Sequence, residues 1–426
     1  MKSRNLLPTV AVVLATSFTV LADWPQYHGP NYDNTASEEL ATRTFSAGGP
    51  KVLWRKPMPD GFSSFAVADG RAFTQIVRNV DGLDQEVVVA VDADTGNELW
   101  AEAVGIKNYG HDGGNSGAKG NTGGDGPRST PSIDGKRVYV LSADVVLTCF
   151  NAADGKEIWK KNILKDFDGK NITWKNAASP VVYGKHIFVA GGGKNQALIA
   201  FNKNDGSVAW KSENDAMTHA TPVVAEILGQ PQVIFFTQEG LASVEPETGK
   251  LLWRQSFPFK VSTAASPVVS GNMVYCSAGY GVGAATYQIS KTGDKWASKE
   301  LWFSRGDKPI ANHWSTPVQR NGFLYGMFSF KEYSDGPVKC VDMATGKILW
   351  EKEGFGAGNM ILSGDTLIAL GDAGQLVLID TNVREYTELA RANMIDGKCW
   401  STPVLSDGRI YLRSTKEGVC IDVSGK

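Results

Sequence analysis

The sequence predicts an all-β protein, an eight-bladed β-propeller made of four-stranded antiparallel blades. Three observations predict this fold. A segment that ends in a tight turn and a tryptophan recurs along the 426-residue chain, and a Ser-Pro or Thr-Pro pair recurs between its copies. Glycine and tryptophan are also abundant, at 47 and 12 residues, as is typical of β proteins with many turns.

The recurring tryptophan marks one strand of each unit. The clearest copies are VDADTGNELW at 91–100, VEPETGKLLW at 244–253 and VDMATGKILW at 341–350, with looser copies at 150–159 and 201–210. The tryptophans of the repeat are Trp54, Trp100, Trp159, Trp210, Trp253, Trp302 and Trp350. They are 43 to 59 residues apart, and periods of this size indicate propellers or solenoids. The turn glycine permits the positive φ of a tight connection, and the large indole is expected to lie flat between neighbouring blades.

The Ser-Pro and Thr-Pro pairs mark the start of the units. Strand A is predicted from the proline, strand B around the aromatic residue that follows, strand C into the acidic residue of the turn, and strand D at the tryptophan. Eight starts of strand A are found, near Ser64, Pro131, Pro180, Pro222, Pro267, Pro317, Met360 and Pro403.

The last unit ends in VCIDVSGK, residues 419–426, and has no tryptophan. The segment KVLW at 51–54 supplies the missing strand. The N-terminal strand is therefore predicted to complete the last blade and close the ring, which removes exposed sheet edges. Closure favours a single domain over residues 50–426, and residues 23–49 are then an N-terminal extension.

Residues 1–22 have the pattern of a signal peptide. Lys2 and Arg4 precede an apolar run at 6–21, and small residues fit a cleavage site after Ala22. Cleavage predicts a periplasmic or secreted protein without a membrane span, and an uncleaved membrane anchor is the alternative. The near balance of 43 basic and 45 acidic residues argues against nucleic acid as a partner. A monomer is expected.

The copies with the pattern Asp-x-x-Thr-Gly-x-x-x-Trp resemble the tryptophan-docking motif of the pyrroloquinoline quinone (PQQ) repeat. This repeat builds eight-bladed propellers in quinoprotein alcohol dehydrogenases and in the lipoprotein of outer-membrane β-barrel assembly. DWPQYHGPNYDN at 23–34 and GDGPRSTP at 124–131 resemble a group of secreted PQQ-like repeat proteins without an assigned activity. The resemblance covers nearly all of the chain after residue 22. It implies the fold but not the function, because one fold hosts many functions.

The loops from strand D to the next strand A are predicted to converge on one mouth of the central channel. The position three residues before each proline should ring this mouth, and it holds Arg128, Ala177, His219, Ala264, Trp314 and Trp400. With neighbouring polar residues included, the predicted ligand-binding set is Arg128, Lys175, Asn176, His219, Asn312, His313, Trp314, Asn359 and Trp400. Its two cations suit a carboxylate, and its two tryptophans suit a planar ring or a sugar face. A rim that only packs loops and binds water is the alternative.

The longest insertion, residues 105–128, carries nine glycines and should lie over the same mouth. A flexible loop is the simpler interpretation, and a lid over the site is the alternative. His111 and Asp112 on this insertion could reach a bound ligand.

The resemblance also provides a test for a PQQ-dependent enzyme. Quinoprotein dehydrogenases have an adjacent cysteine pair beneath the cofactor and a Glu, Asn and Asp set that holds calcium. None of the five cysteines is adjacent to another, and the acidic calcium ligands are not found at matching positions. The placement of Cys149, Cys340 and Cys420 shortly before the turn predicts buried free thiols. No cofactor is therefore expected, with PQQ and calcium as the alternative.

These observations predict a noncatalytic binding or scaffold protein that acts through the channel mouth. Its partner would be another protein, a glycan or a small polar ligand. The alternatives are a PQQ-dependent oxidoreductase and a carbohydrate-active enzyme that uses the rim histidines. The first would need an acidic metal-binding set at the mouth, and the second would need two acid–base groups within reach of one bond.

Overall fold

The computed structural model describes residues 22–110, 116–117, 119–328 and 333–425. Within these ranges, eight four-stranded antiparallel sheets form the blades of a propeller, which confirms the predicted fold class. A short helix, α1 (Ile163–Asp166), follows blade 2, and no helix in the described ranges is long and apolar enough to span a membrane. Apart from Ala22, the predicted signal peptide lies outside the described residues, as do His111 and Asp112.

The first four blades are consecutive runs of four strands. Blade 1 contains β2 (Ala66–Ala68), β3 (Arg71–Val80), β4 (Leu83–Asp92) and β5 (Glu98–Ile106), and blade 2 contains β6 (Ser132–Asp134), β7 (Arg137–Leu141), β8 (Val146–Asn151) and β9 (Glu157–Asn162). Blade 3 contains β10 (Val181–Tyr183), β11 (His186–Ala190), β12 (Leu198–Asn202) and β13 (Val208–Ser212), and blade 4 contains β14 (Val223–Ile227), β15 (Gln230–Thr237), β16 (Gly240–Val244) and β17 (Leu251–Ser256).

Blades 5 to 7 continue in the same way. Blade 5 contains β18 (Val268–Ser270), β19 (Met273–Ala278), β20 (Gly283–Thr292) and β21 (Lys295–Arg305), and blade 6 contains β22 (Val318–Arg320), β23 (Phe323–Met327), β24 (Val338–Asp342) and β25 (Ile348–Lys352). Blade 7 contains β26 (Asn359–Ser363), β27 (Thr366–Leu370), β28 (Gln375–Asp380) and β29 (Glu388–Asn393).

Blade 8 is completed from the other end of the chain. It contains β30 (Val404–Ser406), β31 (Arg409–Arg413), β32 (Glu417–Asp422) and β1 (Lys51–Pro57). The sheet has the order β1-β32-β31-β30, and Trp54 of β1 lies opposite Cys420 of β32. This confirms the prediction that the N-terminal strand closes the ring.

Each repeat tryptophan lies opposite a small residue on the neighbouring strand. The pairs are Trp54–Cys420, Trp100–Ala90, Trp159–Cys149, Trp210–Ala200, Trp253–Ser243, Trp302–Thr286 and Trp350–Cys340. In blade 7 the small residue is on the outer strand and the large one is on its neighbour, since Ala390 of β29 lies opposite Leu378 of β28. Interiors are close-packed, so a large side chain on one strand requires a small one across the sheet.

The indoles also contact the next blade. Trp100 Nε1 donates to the carbonyl oxygen of Ala152 at 3.0 Å, and Gly155 of blade 2 lies against the same ring. A Cβ added to Gly155 would lie 2.7 Å from the indole carbon Cε3, which explains why glycine occupies this turn. The other close pairs of this kind are Trp54 with Gly96, Trp159 with Gly206, Trp210 with Gly249 and Trp302 with Gly346.

The hydroxyl residues before the prolines form a second set of contacts between blades. The backbone N–H of Ser64 donates to Thr130 Oγ1, and that of Thr130 donates to Ser179 Oγ, both at 2.9 Å. Thr402 N–H donates to Ser64 Oγ at 2.8 Å and so links blade 8 to blade 1. The sequence prediction used these residues only as markers, whereas in the structure they hold neighbouring blades together.

The first part of the N-terminal extension, residues 24–34, lies inside the propeller rather than beside it. Its contacts are Trp24 with Val67 in blade 1, Pro25 with Ile133 in blade 2, Gln26 with Val182 in blade 3, His28 with Ser266 before blade 5, and Asn34 with Leu362 in blade 7. A segment that touches this many blades must cross the central channel. Tyr27 lines a cavity on one side of the segment, and His28 lines a second cavity on the other side.

All five cysteines are buried and free, as the sequence predicts. Burial raises the pKa of the Cys149 thiol to about 12 and that of Cys340 to about 11, so both are protonated at neutral pH. Cys399 precedes β30 in a loop.

Candidate ligand-binding site

A cavity of about 440 Å³ lies at one mouth of the channel. Most of its walls come from the loops between blades. Tyr280 and Tyr333 come from loops within blades 5 and 6, and Tyr27 of the N-terminal extension also lines the cavity. All six positions that lie three residues before the prolines line it, namely Arg128, Ala177, His219, Ala264, Trp314 and Trp400. The other lining residues are Phe62, Ser116, Trp174, Thr221, Ser262, Tyr280, His313 and Tyr333. The volume falls within the range of about 300–1,000 Å³ that small-molecule sites occupy.

Aromatic rings form a belt around the cavity. Trp400 packs against Trp314 and Phe62, with ring centroids 4.4 and 4.7 Å apart. Trp314 in turn contacts His313, and His313 contacts Tyr280 at 5.0 Å. These rings come from loops of different blades, so the belt is a product of the ring closure and not of one segment of the chain.

Trp174 extends this belt and was missed by the sequence prediction. Its ring is nearly parallel to that of Tyr280, with centroids 6.3 Å apart. Trp174 and Tyr280 both have left-handed backbones, with φ of 65° and 60°. Such conformations cost about 1–3 kcal/mol in residues other than glycine and are concentrated at functional sites. The signal available in the sequence was a tryptophan outside the repeat position.

His219 is held by two hydrogen bonds on the wall of the cavity. Its Nε2 donates to Thr173 O and its Nδ1 accepts from Ser262 Oγ, both at 2.9 Å. This tautomer follows from the partners, because a carbonyl oxygen can only accept. Burial, helped by the positive charge of Arg128, lowers the pKa of His219 to about 4. The ring is therefore neutral at pH 7, and both of its nitrogens are already used.

Arg128 and Lys175 do not form the carboxylate clamp that the sequence predicts. Arg128 donates from Nη2 to Asp125 Oδ1 and from Nη1 to Trp174 O, both at 2.6 Å. Lys175 Nζ donates to Asp144 Oδ1 at 2.7 Å and is not part of the cavity wall. Each cation is thus already paired with a carboxylate of the protein, and ligand binding by Arg128 and Lys175 stays a prediction.

The three predicted asparagines are also structural rather than ligand-facing. Asn176 Nδ2 donates to Ala178 O at 3.0 Å, Asn312 Nδ2 to Met327 O at 3.0 Å, and Asn359 Nδ2 to Trp400 O at 2.7 Å. All three side chains are buried and absent from the cavity wall. The structure does not bring them into the cavity, because these buried amides satisfy backbone groups, and their contact with a ligand stays a prediction. Asn359 instead positions the loop that carries Trp400.

Lys398 contacts both the aromatic belt and the glycine-rich insertion. Its Nζ lies 4.5 Å from the ring centroid of Trp400 and donates to Gly123 O at 2.8 Å and to Ser116 O. Burial lowers the pKa of Lys398 to about 8. A backbone hydrogen bond from Gly61 N to Gly124 O, at 2.7 Å, also holds the described part of the glycine-rich insertion in place. The described part of the insertion therefore contacts the loops of the neighbouring blade 8 and contributes Ser116 to the cavity wall.

The chemistry of the wall can be compared with the two catalytic alternatives. Among the residues of the wall that the structure describes, none is a carboxylate or a cysteine. Across the described ranges, no group of three or more His, Cys, Asp or Glu residues is arranged to hold a metal ion. The described part of the wall therefore offers no acidic ligand for the calcium of the quinone site that the resemblance implies, and no carboxylate pair of the kind that a glycosidase uses.

Comparison with known proteins agrees with this architecture. A family profile, PQQ_2, described as outer membrane protein assembly factor BamB, matches residues 84–321 and 334–424. The chain belongs to this family. The match begins in β4, so the channel-crossing N-terminal segment and Phe62 lie outside the part that the PQQ_2 profile covers.

Individual relatives are distant. Outer membrane protein assembly factor BamB of Shewanella oneidensis is 22% identical over 261 residues, which are 59% of this chain and 64% of that protein. The chain therefore matches less than two thirds of that relative. The structure of BamB from Moraxella catarrhalis has a TM-score of 0.58 at 14% identity and covers 87% of this chain and 99% of that chain. Quinohemoprotein alcohol dehydrogenase ADHIIG from Pseudomonas putida HK5 has a TM-score of 0.66 at 12% identity, with coverage of 95% and 81%. At such identities the likeness shows the fold alone.

Proposed function

We propose that the protein is an exported, noncatalytic binding protein that holds its ligand or partner at the mouth of the propeller channel. The observation that carries the proposal is the cavity of about 440 Å³ lined by a belt of aromatic rings. Concave sites with aromatic walls and a few convergent polar groups are the usual form of ligand sites. The strained backbones of Trp174 and Tyr280 support a site whose geometry has been selected.

Membership of the PQQ_2 family supports a scaffold role in the cell envelope. The curated relatives carry the description of outer membrane protein assembly factor, which names a component of an assembly process. The predicted signal peptide supports export of this chain across the inner membrane, to the side that faces the outer membrane. We propose that the partner is an envelope component that reaches into the mouth.

A PQQ-dependent oxidoreductase is the less favoured function. Its support is the likeness of fold to a quinohemoprotein alcohol dehydrogenase, and a shared fold hosts many functions. The part of the cavity wall that the structure describes offers neither the acidic ligands for calcium nor the cysteine pair that the resemblance implies. A carbohydrate-active enzyme is less favoured because the same described residues include no two carboxylates that could act on one bond.

A retention experiment with a paired control tests the proposed function. Residues 23–426 are immobilised and exposed to a detergent extract of the cell envelope, and the retained components are identified by mass spectrometry. The Trp314→Ala/Trp400→Ala double variant should lose a component that the wild type retains, with an unchanged circular dichroism spectrum. Leu228→Ala, at a residue 51% exposed on the β14–β15 hairpin, should retain it. Equal retention by the wild type and the double variant would overturn binding through the mouth.

Calorimetric titration with PQQ in calcium, followed by a dye-linked alcohol oxidation assay, tests the alternative. The proposed function predicts neither binding nor turnover. Tight binding with turnover would replace it with the oxidoreductase.

A further inference from the structure

The balance of charge around the cavity restricts what it can bind. Arg128, the charged residue of the wall, is paired with Asp125, and its second terminal nitrogen donates to Trp174 O. An anionic ligand would have to compete with Asp125 for this guanidinium. A cationic ligand would meet Arg128, and none of the lining residues that the structure describes is a carboxylate that could pair with it. Because an unpaired charge is costly to remove from water, an uncharged ligand is favoured.

The walls also combine flat apolar faces with hydroxyl groups. Trp174, Tyr280 and Trp314 belong to the aromatic belt, and stacking on such rings suits a ligand that has a flat apolar face. Hydroxyl groups are carried by Tyr27, Ser116, Thr221, Ser262, Tyr280 and Tyr333 of the same wall. Ser262 Oγ already donates to His219 Nδ1 and can still accept, whereas Thr221 Oγ1 already accepts from Ser179 N–H and can still donate. Together the hydroxyls of the wall suit a ligand that itself carries several hydroxyls. A wholly apolar ligand would remove water from these groups without replacing its hydrogen bonds.

The N-terminal extension limits how such a ligand can be placed in the cavity. Tyr27 lines the mouth cavity, and its neighbour His28 lines the separate cavity on the far side of the segment. Trp24 is fully buried and bonded through its backbone to Val67, so the segment is firmly part of the channel. A polymer cannot be threaded through a channel that is crossed in this way. The cavity therefore accepts the end of a chain rather than its middle.

We infer that the mouth cavity binds the uncharged terminal sugar of a glycan, with the ring stacked on the aromatic belt beside Trp174 and Tyr280. This inference rests on the proposed function and names the class of ligand for the same site. An uncharged sugar combines the three required properties, since it has no charge, a flat apolar face and hydroxyls around its edge. We infer binding rather than cleavage, since the lining residues that the structure describes include no carboxylate pair.

A matched panel of immobilised glycans tests this inference. Residues 23–426 are applied to glycans that end in neutral hexoses, pentoses or N-acetylhexosamines, and to the corresponding glycans that end in a uronic acid or a free amino sugar. At least one neutral terminus should be bound. Its charged counterparts, which differ only in the terminal group, should bind at least about tenfold more weakly, because each brings an unpaired charge into the cavity.

Two variants connect the binding to the cavity. Tyr280→Phe keeps the ring and removes the hydroxyl, and the affinity for the neutral glycan should fall roughly fivefold, as for the loss of one hydrogen bond. Tyr386→Phe is the matched control, since that hydroxyl donates to Glu388 on the outer part of blade 7. It should leave the affinity unchanged.

The outcomes separate the ligand class from the proposed function. Retention of no neutral glycan, equal affinity for a charged counterpart, or an unchanged affinity of Tyr280→Phe would each overturn the sugar inference. If the envelope component is still lost from the Trp314→Ala/Trp400→Ala variant while no glycan binds, the sugar class is wrong and binding through the mouth stands. If the double variant loses no envelope component and no glycan binds, both the sugar inference and binding through the mouth are wrong.

Discussion

Replacing Trp350 with alanine should lower the free energy of unfolding by about 3–5 kcal/mol. The indole is only 8% exposed, and it packs against Tyr325 and Tyr386 with ring centroids 6.0 and 5.7 Å away. Its Nε1 donates to Asn382 O of blade 7 at 2.7 Å. The substitution therefore removes packing within blade 6 and a contact between blades 6 and 7.

The magnitude follows from the buried surface. A tryptophan buries about 150–250 Å², which at about 25 cal/mol per Å² is worth about 4–6 kcal/mol. The lost hydrogen bond to Asn382 adds about 1 kcal/mol. Residual compactness of the unfolded chain lowers the total, since part of the indole is already shielded there. The sum agrees with the losses of about 3–5 kcal/mol that large aromatic truncations cause in cores.

Equilibrium unfolding in urea measures this loss. Tryptophan fluorescence and far-UV circular dichroism should give coincident transitions, which is the condition for a two-state free energy. Leu99→Ala is the control, because Leu99 is 47% exposed on the outer strand of blade 1 and its truncation should change stability by less than about 0.5 kcal/mol. A loss below about 1 kcal/mol for Trp350→Ala would refute the role of this indole between blades.

Two further predictions concern the turn glycines and the buried histidine. Gly155→Ala should lower the melting temperature more than Gly135→Ala, since both have positive φ, 73° and 54°, but only Gly155 lies against an indole. Equal shifts would show that the contact with the ring is unimportant. Acidification from pH 6.5 to 4 should destabilise the wild type more than His219→Gln. Burial lowers the pKa of His219 from 6.5 to about 4, so the unfolded chain takes up the proton first and this stability is lost as the pH falls. Burial raises the pKa of Glu86 to about 7, so this residue adds stability as the pH falls. Its contribution is the same in the wild type and in His219→Gln, and it cancels in the comparison. Parallel pH profiles would contradict a neutral buried His219.

The blade architecture was predictable because its signals are local and repeated. A tryptophan, a turn glycine and a proline recur in each unit, and each has a steric reason to be where it is. The exchange in blade 7, where Ala390 lies opposite Leu378, shows the same packing rule with the sizes reversed. The closing of the ring could also be predicted, since the last unit lacks the strand that residues 51–54 supply.

The site was predictable only in part. Counting back from the prolines located loop positions that line the cavity, including Trp314 and Trp400. Counting does not give the direction of a side chain, which is why Asn312 was assigned to a ligand although it bonds Met327 O. Trp174 was missed because its exposure to the cavity depends on a left-handed backbone that the sequence pattern does not reveal.

The position of the N-terminal extension could not be read from periodicity. Residues 24–34 belong to no strand of a blade, and their contacts are to residues scattered over most of the ring. Trp24 carried a signal, since a fully buried tryptophan outside the repeat needs a separate partner. No rule of strand spacing could have identified Val67 as that partner.

The pairing of β1 with β32 has a consequence for the order of biogenesis. β1 leaves the ribosome first among the strands, whereas the strand that it pairs with leaves last. Until then, both edges of the unfinished blade remain open, and open edges attract other strands. The interval between synthesis of the first and the last strand is therefore the period in which the chain is most open to pairing with strands of other molecules.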